Sequence, residues 1–70
     1  MDIDYFKETF HLDIDSTKPL YQQLYDYFKR IILTGILKEG DQMLPEIVIC
    51  DTLHVSRSTV RKTMDMLIED

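Results

Sequence analysis

The sequence predicts a small, mainly α-helical domain of three helices that follows an acidic arm. Apolar side chains recur at steps of three and four residues after residue 18, which places them on one stripe of a helix. Proline, glycine and capping residues divide that part of the chain into three segments. A chain of 70 residues forms one domain at most, with a small core, because it buries only about 60% of its unfolded surface.

Residues 1–17 form the acidic arm, and the sequence leaves its structure open. Asp2 to Phe10 has the pattern of a short helix, whereas Phe10, Leu12 and Ile14 alternate with polar residues as in a half-buried strand. The arm contains five acids and one lysine, so it carries most of the net charge of −5. Residues 18–70, the predicted domain, are close to neutral, and the overall charge does not exclude binding to nucleic acid.

The first helix of the domain is predicted from Pro19 to Thr34. Ser16 or Thr17 can cap it, proline suits a first helical position, and Gly35 is placed to end it in a left-handed turn. We expect its apolar stripe to face the core; its members are Tyr21, Leu24, Phe28, Ile31 and Ile32.

Two shorter helices are predicted after the turn at residues 38–41. The second helix spans Pro45 to Leu53, and we expect Ile49, Cys50 and Leu53 to be buried, while Ile47 and Val48 fall outside that stripe. The third helix begins at Ser56 as its N-cap and extends to about Ile68. Its predicted buried residues are Val60, Met64 and Leu67.

The second and third helices, separated by three or four residues, predict a helix-turn-helix. His54 lies in the turn, where a positive φ is often needed and where histidine is among the more tolerant residues. The third helix begins with hydroxyl and basic side chains, which suit phosphate and base contacts at a helix amino terminus. The candidate DNA-binding residues are Ser56, Arg57, Ser58, Thr59, Arg61 and Lys62. The simpler alternative is a capped helix with an ordinary solvated basic face.

Four segments in order and spacing resemble the winged-helix domain of GntR regulators: PLYQQL at 19–24, ILTGIL at 32–37, GD at 40–41 and VSRSTVR at 55–61. The resemblance covers residues 18–70 and implies a bacterial, cytoplasmic, sequence-specific transcription regulator. It implies a homodimer on a double-stranded DNA operator, with the third helix in the major groove. It also implies a wing hairpin and a carboxy-terminal domain for a small-molecule effector, both absent from this chain and expected after residue 70.

Two positions depart from the GntR pattern. Ile47 stands where the family has a DNA-contacting arginine, and His54 replaces the glycine of the turn. The family's glutamate is kept as Glu46. One usual DNA anchor is therefore missing. Either Ile47 and Val48 are exposed and meet a partner or an apolar part of DNA, or the second helix is locally shifted in register.

The alternative function is a helical protein interaction or dimerisation module without DNA binding. Its contact surface would be the stripe Tyr21, Leu24, Tyr25 and Phe28, or the pair Ile47 and Val48. We do not expect an enzyme, because no acid, base and nucleophile cluster together. A single cysteine and two histidines give no zinc spacing, so we expect neither metal nor cofactor. No apolar run approaches the roughly 20 residues of a membrane span.

Overall fold

A computed structural model describes residues 1–69, which contain four helices and no strand. The helices are α1 (Ile3–Thr9), α2 (Leu20–Leu33), α3 (Glu46–Leu53) and α4 (Arg57–Glu69). Helix α4 packs against both α2 and α3. The mainly α prediction and its three-helix core are confirmed, and α1 is an additional helix.

Helix α1 resolves the ambiguity of the acidic arm in favour of the helical pattern. Asp2 caps it by accepting a hydrogen bond from the backbone N–H of Asp4 at 3.1 Å. The alternating pattern that suggested a strand instead covers irregular chain and a turn, and Leu12 and Ile14 are exposed. The helical conformation is favoured over the strand because it buries the Phe6 side chain completely.

Aromatic rings join α1 to α2. Phe6 stacks with both Phe10 and Phe28, with ring centroids 5.3 and 5.8 Å away, and makes an edge contact with Tyr27 at 5.5 Å. The Tyr27 hydroxyl lies 2.6 Å from the hydroxyl of Thr9, and burial raises the pKa of Tyr27. The arm therefore supplies two rings to the hydrophobic core, which the sequence pattern did not indicate.

Helix α2 has nearly the predicted bounds. Its amino end differs in detail: Pro19 is the N-cap and not the first helical residue. Ser16 accepts from the N–H of Lys18 instead of capping, and no side chain among the described residues caps α2. At the carboxyl end Gly35 has φ 82°, and its N–H donates to the carbonyl of Ile32. The left-handed glycine prediction is thus confirmed.

The core stripe of α2 is correct at three of its predicted positions. Leu24, Phe28 and Ile31 are buried, and Tyr27 joins them. Ile32 was predicted to face the core, but it is 42% exposed. Four residues advance a helix by slightly more than one turn, so each step of four moves the side chain further around the axis. Ile32 accordingly lies beyond the edge of the buried stripe.

Helices α3 and α4 bury one face each, much as predicted. Ile49 and Cys50 are buried in α3, and Val60 is buried in α4. The remaining predicted members, Leu53, Met64 and Leu67, are partly buried and pack against the core. Thr63 is fully buried although it is polar, because its hydroxyl donates to the backbone carbonyl of Tyr21 at 3.0 Å. That bond joins α4 to α2.

Candidate nucleic-acid interface

The turn between α3 and α4 consists of residues 54–56. His54 has φ 57° and ψ 48°, the left-handed conformation, and its N–H donates to the carbonyl of Cys50. The N–H of Val55 donates to the same carbonyl at 3.2 Å. The predicted structural role of His54 is confirmed, since this conformation ends α3 and turns the chain into α4.

Ser56 caps α4, as the sequence predicts. Its hydroxyl oxygen accepts from the N–H of Thr59 at 3.4 Å and lies within 3.1 Å of the hydroxyls of Ser58 and Thr59. Ser56 and Ser58 are exposed, whereas Thr59 is half-buried. The amino end of α4 therefore presents hydroxyl groups to solvent beside backbone N–H groups, an arrangement that suits a phosphate.

Two arginines project from the outer face of α4. The side chains of Arg57 and Arg61 are 67% and 59% exposed, and their four-residue spacing puts them on one side of the helix. They line a shallow groove along the helix, together with Ser58, Lys62, Asp65, Met66 and Glu69. The groove places positive charge near the capped end and acidic side chains further along.

Lys62 lies at the side of this groove. Its ammonium group is 4.0 Å from the centre of the Tyr21 ring, a cation–π contact with α2. The structure thus brings Arg57, Ser58, Arg61 and Lys62 to one groove, with the Ser56 cap at the amino end of α4, and the Lys62 ammonium group also contacts Tyr21 of α2.

Glu46, in the first turn of α3, faces both arginines. Its Oε2 atom is 3.1 Å from Nη2 of Arg61 and 4.0 Å from Nη2 of Arg57. No local pattern in the sequence indicates these partners, which are 15 and 11 positions away from Glu46. Ile47, the next residue, is 51% exposed, as its place outside the apolar stripe predicts.

Of the two surfaces predicted for a protein interaction module, the stripe on α2 is largely buried, whereas Ile47 of the other surface is 51% exposed and Val48 is half-buried. Of the stripe on α2, Leu24 and Phe28 are completely buried. Tyr21 and Tyr25 are half-buried. Leu24 and Phe28 belong to the hydrophobic core, so the stripe as a whole does not form a contact surface for another protein.

Within residues 1–69 no group of three or more histidine, cysteine or acidic side chains is arranged to hold a metal ion. The helices of that region are also too short or too polar to cross a lipid bilayer. Cys50 is buried, in agreement with its interpretation as a small core residue.

Two consecutive helices joined by a tight turn, the second with a hydroxyl-rich start and exposed arginines, define a helix-turn-helix DNA-binding domain. The sequence profile of the bacterial regulatory proteins of the gntR family matches residues 20–70. The chain therefore belongs to this family of DNA-binding transcription regulators.

The relatives are regulators as well. Over 59 residues the chain is 37% identical to the probable rhizopine catabolism regulatory protein MocR of Rhizobium meliloti, a match that covers 84% of the chain. It is 40% identical over 74% of its length to the mannosyl-D-glycerate transport/metabolism system repressor MngR of Escherichia coli. It is 33% identical over 81% of its length to the uncharacterized HTH-type transcriptional regulator YdhC of Bacillus subtilis.

The chain spans only part of these regulators: 12% of the first, 22% of the second and 25% of the third. No solved structure matches it.

Proposed function

We propose that this chain reads a specific operator in double-stranded DNA by placing α4 in the major groove. The observation that carries the proposal is the division of α4 into two faces. Val60 and Thr63 are buried against the domain, while Arg57 and Arg61 project outwards. An arginine fork matches O6 and N7 of guanine or a pair of phosphate oxygens.

The proposed division of labour assigns DNA binding to residues 18–70. Within it Ser56, Ser58 and Thr59 contact phosphates near the amino end of α4, and Arg57, Arg61 and Lys62 supply positive charge. Residues 1–17 support this unit through the Phe6 and Phe10 rings and have no DNA contact of their own. The activity is binding in the cytoplasm, without catalysis.

Regulators with a helix-turn-helix commonly bind as dimers on two half-sites about 34 to 36 Å apart. We propose that the full regulator is such a homodimer and that a small-molecule effector acts on a further domain. A single copy of the present chain is expected to bind weakly, because it makes the contacts of only one half-site.

The test is the salt dependence of binding. We expect the chain to bind labelled 20-base-pair duplexes in fluorescence anisotropy, with an affinity that falls steeply with NaCl as phosphate contacts release counterions. Selection from a random duplex library is expected to enrich one motif. Replacement of both Arg57 and Arg61 by alanine should remove most of the binding, whereas Lys38→Ala, at an exposed position between α2 and α3, should retain it.

Binding that is insensitive to salt, or an equal effect of the double variant and the Lys38 control, would contradict DNA recognition through α4. A salt-insensitive self-association of the chain would instead favour a protein interaction module.

A further inference from the structure

A single carboxylate on α3 contacts the two arginines that project from α4. Glu46 Oε2 accepts a hydrogen bond from Nη2 of Arg61 at 3.1 Å and lies 4.0 Å from Nη2 of Arg57. The glutamate side chain is only 28% exposed, whereas those of the arginines are 59% and 67% exposed. The carboxylate therefore lies behind the guanidinium groups and is less accessible than they are.

We propose that Glu46 is a specificity-determining positioning residue, which restrains Arg61 and lowers the affinity of this face for DNA of arbitrary sequence. The inference rests on the proposed function, since it concerns the same surface. It adds a residue outside α4 and gives an acidic side chain a role in a site that binds a polyanion.

Glu46 is expected to lower the affinity for DNA because its carboxylate competes with DNA phosphates for the same arginine donors. A carboxylate oxygen and a phosphate oxygen are both charged acceptors for a guanidinium group. In the free protein Glu46 already occupies one position at Arg61 and neutralises part of its charge. A phosphate must displace this carboxylate or bind beside it, and like charges repel. This repulsion weakens the binding of every duplex, whatever its sequence.

The effect on specificity follows from the geometry of arginine. The guanidinium group has five N–H donors in one plane, and a contact through Nη2 leaves donors on the other atoms for a base. A carboxylate behind the group limits its rotation, so Arg61 presents its free edge in fewer orientations. A guanine in the matching position offsets this repulsion with two hydrogen bonds. Arg57 is held less closely, at 4.0 Å, and should discriminate less.

The test is Glu46→Gln, which keeps the shape of the side chain and removes its charge. Affinity is measured by anisotropy for the duplex enriched by selection and for a shuffled duplex of the same composition. We expect binding to the shuffled duplex to rise about two- to five-fold at low salt, the range for loss of one exposed ion pair. The preference for the enriched duplex should fall, and the salt slope should steepen by up to about 0.9.

The matched control is Asp65→Asn. It removes one negative charge from the same groove, one turn beyond Arg61. We expect it to raise affinity for both duplexes equally and to leave their ratio unchanged. Glu46→Asp, which keeps the charge on a shorter side chain, should give a ratio between those of wild type and Glu46→Gln.

A DNA-free measurement separates restraint from folding. The NMR signal of the Arg61 Nε–H group should shift in Glu46→Gln and stay in place in Asp65→Asn. Equal effects of the two substitutions on the duplex ratio, or an unmoved Arg61 signal, would overturn the role of Glu46. If Glu46→Gln does not fold, the test relies on Glu46→Asp alone. A ratio of affinities for the enriched and shuffled duplexes equal to that of wild type would then overturn the proposal. Failure of the wild-type chain to bind any duplex would overturn the proposed function instead.

Discussion

The two ends of this domain use different chemistry. Where α1 meets α2, the rings of Phe6, Phe10, Tyr27 and Phe28 pack against one another with little exposure. In the first two turns of α4, the outward side chains are polar and in contact through hydroxyl and charged groups, and both arginine side chains are more than half exposed. The first end stabilises the fold, and the second is available to a ligand.

This difference implies that stability and DNA binding can be altered separately. A substitution in the aromatic end should lower the free energy of unfolding without changing which DNA sequence is preferred. A substitution at an exposed position of α4, apart from its Ser56 cap, should change binding while leaving the free energy of unfolding nearly unchanged, because surface changes usually stay within about 0.5 kcal/mol.

The largest effect is expected for Phe6→Ala. Loss of a buried phenyl ring costs about 3 to 5 kcal/mol, against a total stability of about 4 to 10 kcal/mol for a domain of this size. Urea unfolding followed by circular dichroism measures the change. Ile14→Ala, at an 83% exposed position in the same segment, should change it by less than about 0.5 kcal/mol. A loss below 1 kcal/mol for Phe6→Ala would mean that the amino-terminal segment does not contribute to the core.

Next come the two arginines, tested singly by anisotropy. Arg61→Ala should cost about 1 to 3 kcal/mol of binding, mainly on the selected duplex. Arg57, nearer the capped end of α4, is expected to contact phosphate, so Arg57→Ala should weaken binding to all duplexes and lower the salt slope by about one. The melting temperature should be nearly unchanged in both. Identical losses on selected and shuffled duplexes for both variants would contradict this division.

Ser56→Ala should cost about 1 kcal/mol of stability, because the N–H of Thr59 loses its acceptor at the start of α4. Ser58→Ala is the matched control: it removes an exposed hydroxyl whose contact is with the Ser56 side chain. Thermal melts of the two variants measure the difference. Equal melting temperatures for the two variants would show that the Ser56 cap contributes nothing to stability. Ser56 would then behave like the other exposed residues of α4.

The smallest effect is expected at Asp26. Its carboxylate accepts from Lys18 at 2.8 Å, which lowers its pKa below the usual 3.8; a hydrogen bond from Gln22 adds to this, and burial opposes it. A pKa lowered by folding stabilises the protein above pH 3.8, and the contribution is lost as the pH falls through the folded value. Because Asp26 is 41% exposed, Asp26→Asn should cost no more than about 0.5 kcal/mol at neutral pH.

Urea unfolding at pH 7 and at pH 3 checks the prediction for Asp26. The difference between wild type and Asp26→Asn should shrink at the lower pH. A difference that grows on acidification would require a raised pKa and contradict the ion pair.

The sequence was sufficient for the features that depend on neighbouring residues. The left-handed turns at Gly35 and His54, the Ser56 cap and the bounds of α2, α3 and α4 were all predicted to within about one residue. Each is encoded by side chains that act on the backbone within a few positions, so one stretch of sequence contains the whole signal.

Features that depend on the packing of distant segments were missed. The structure of the arm could not be predicted because its helix is stabilised by packing of the Phe6 ring against Tyr27 and Phe28, which are distant in sequence. Thr63 was not among the residues predicted to be buried, and its acceptor on Tyr21 lies 42 positions away. Contact between Glu46 and Arg61 likewise depends on the angle between α3 and α4, which no local pattern reports.

The two faces of α4 have a consequence for how such proteins diversify. The inward residues, Val60 and Thr63, are fully buried and fix the position of the helix, whereas the outward Arg57 and Arg61 are more than half exposed. We expect exchange of the outward side chains to leave the fold intact, so that one fold can recognise many different DNA sequences. A regulator that binds a different operator could therefore be made by replacing the outward residues of α4, together with residue 46, by those of a relative.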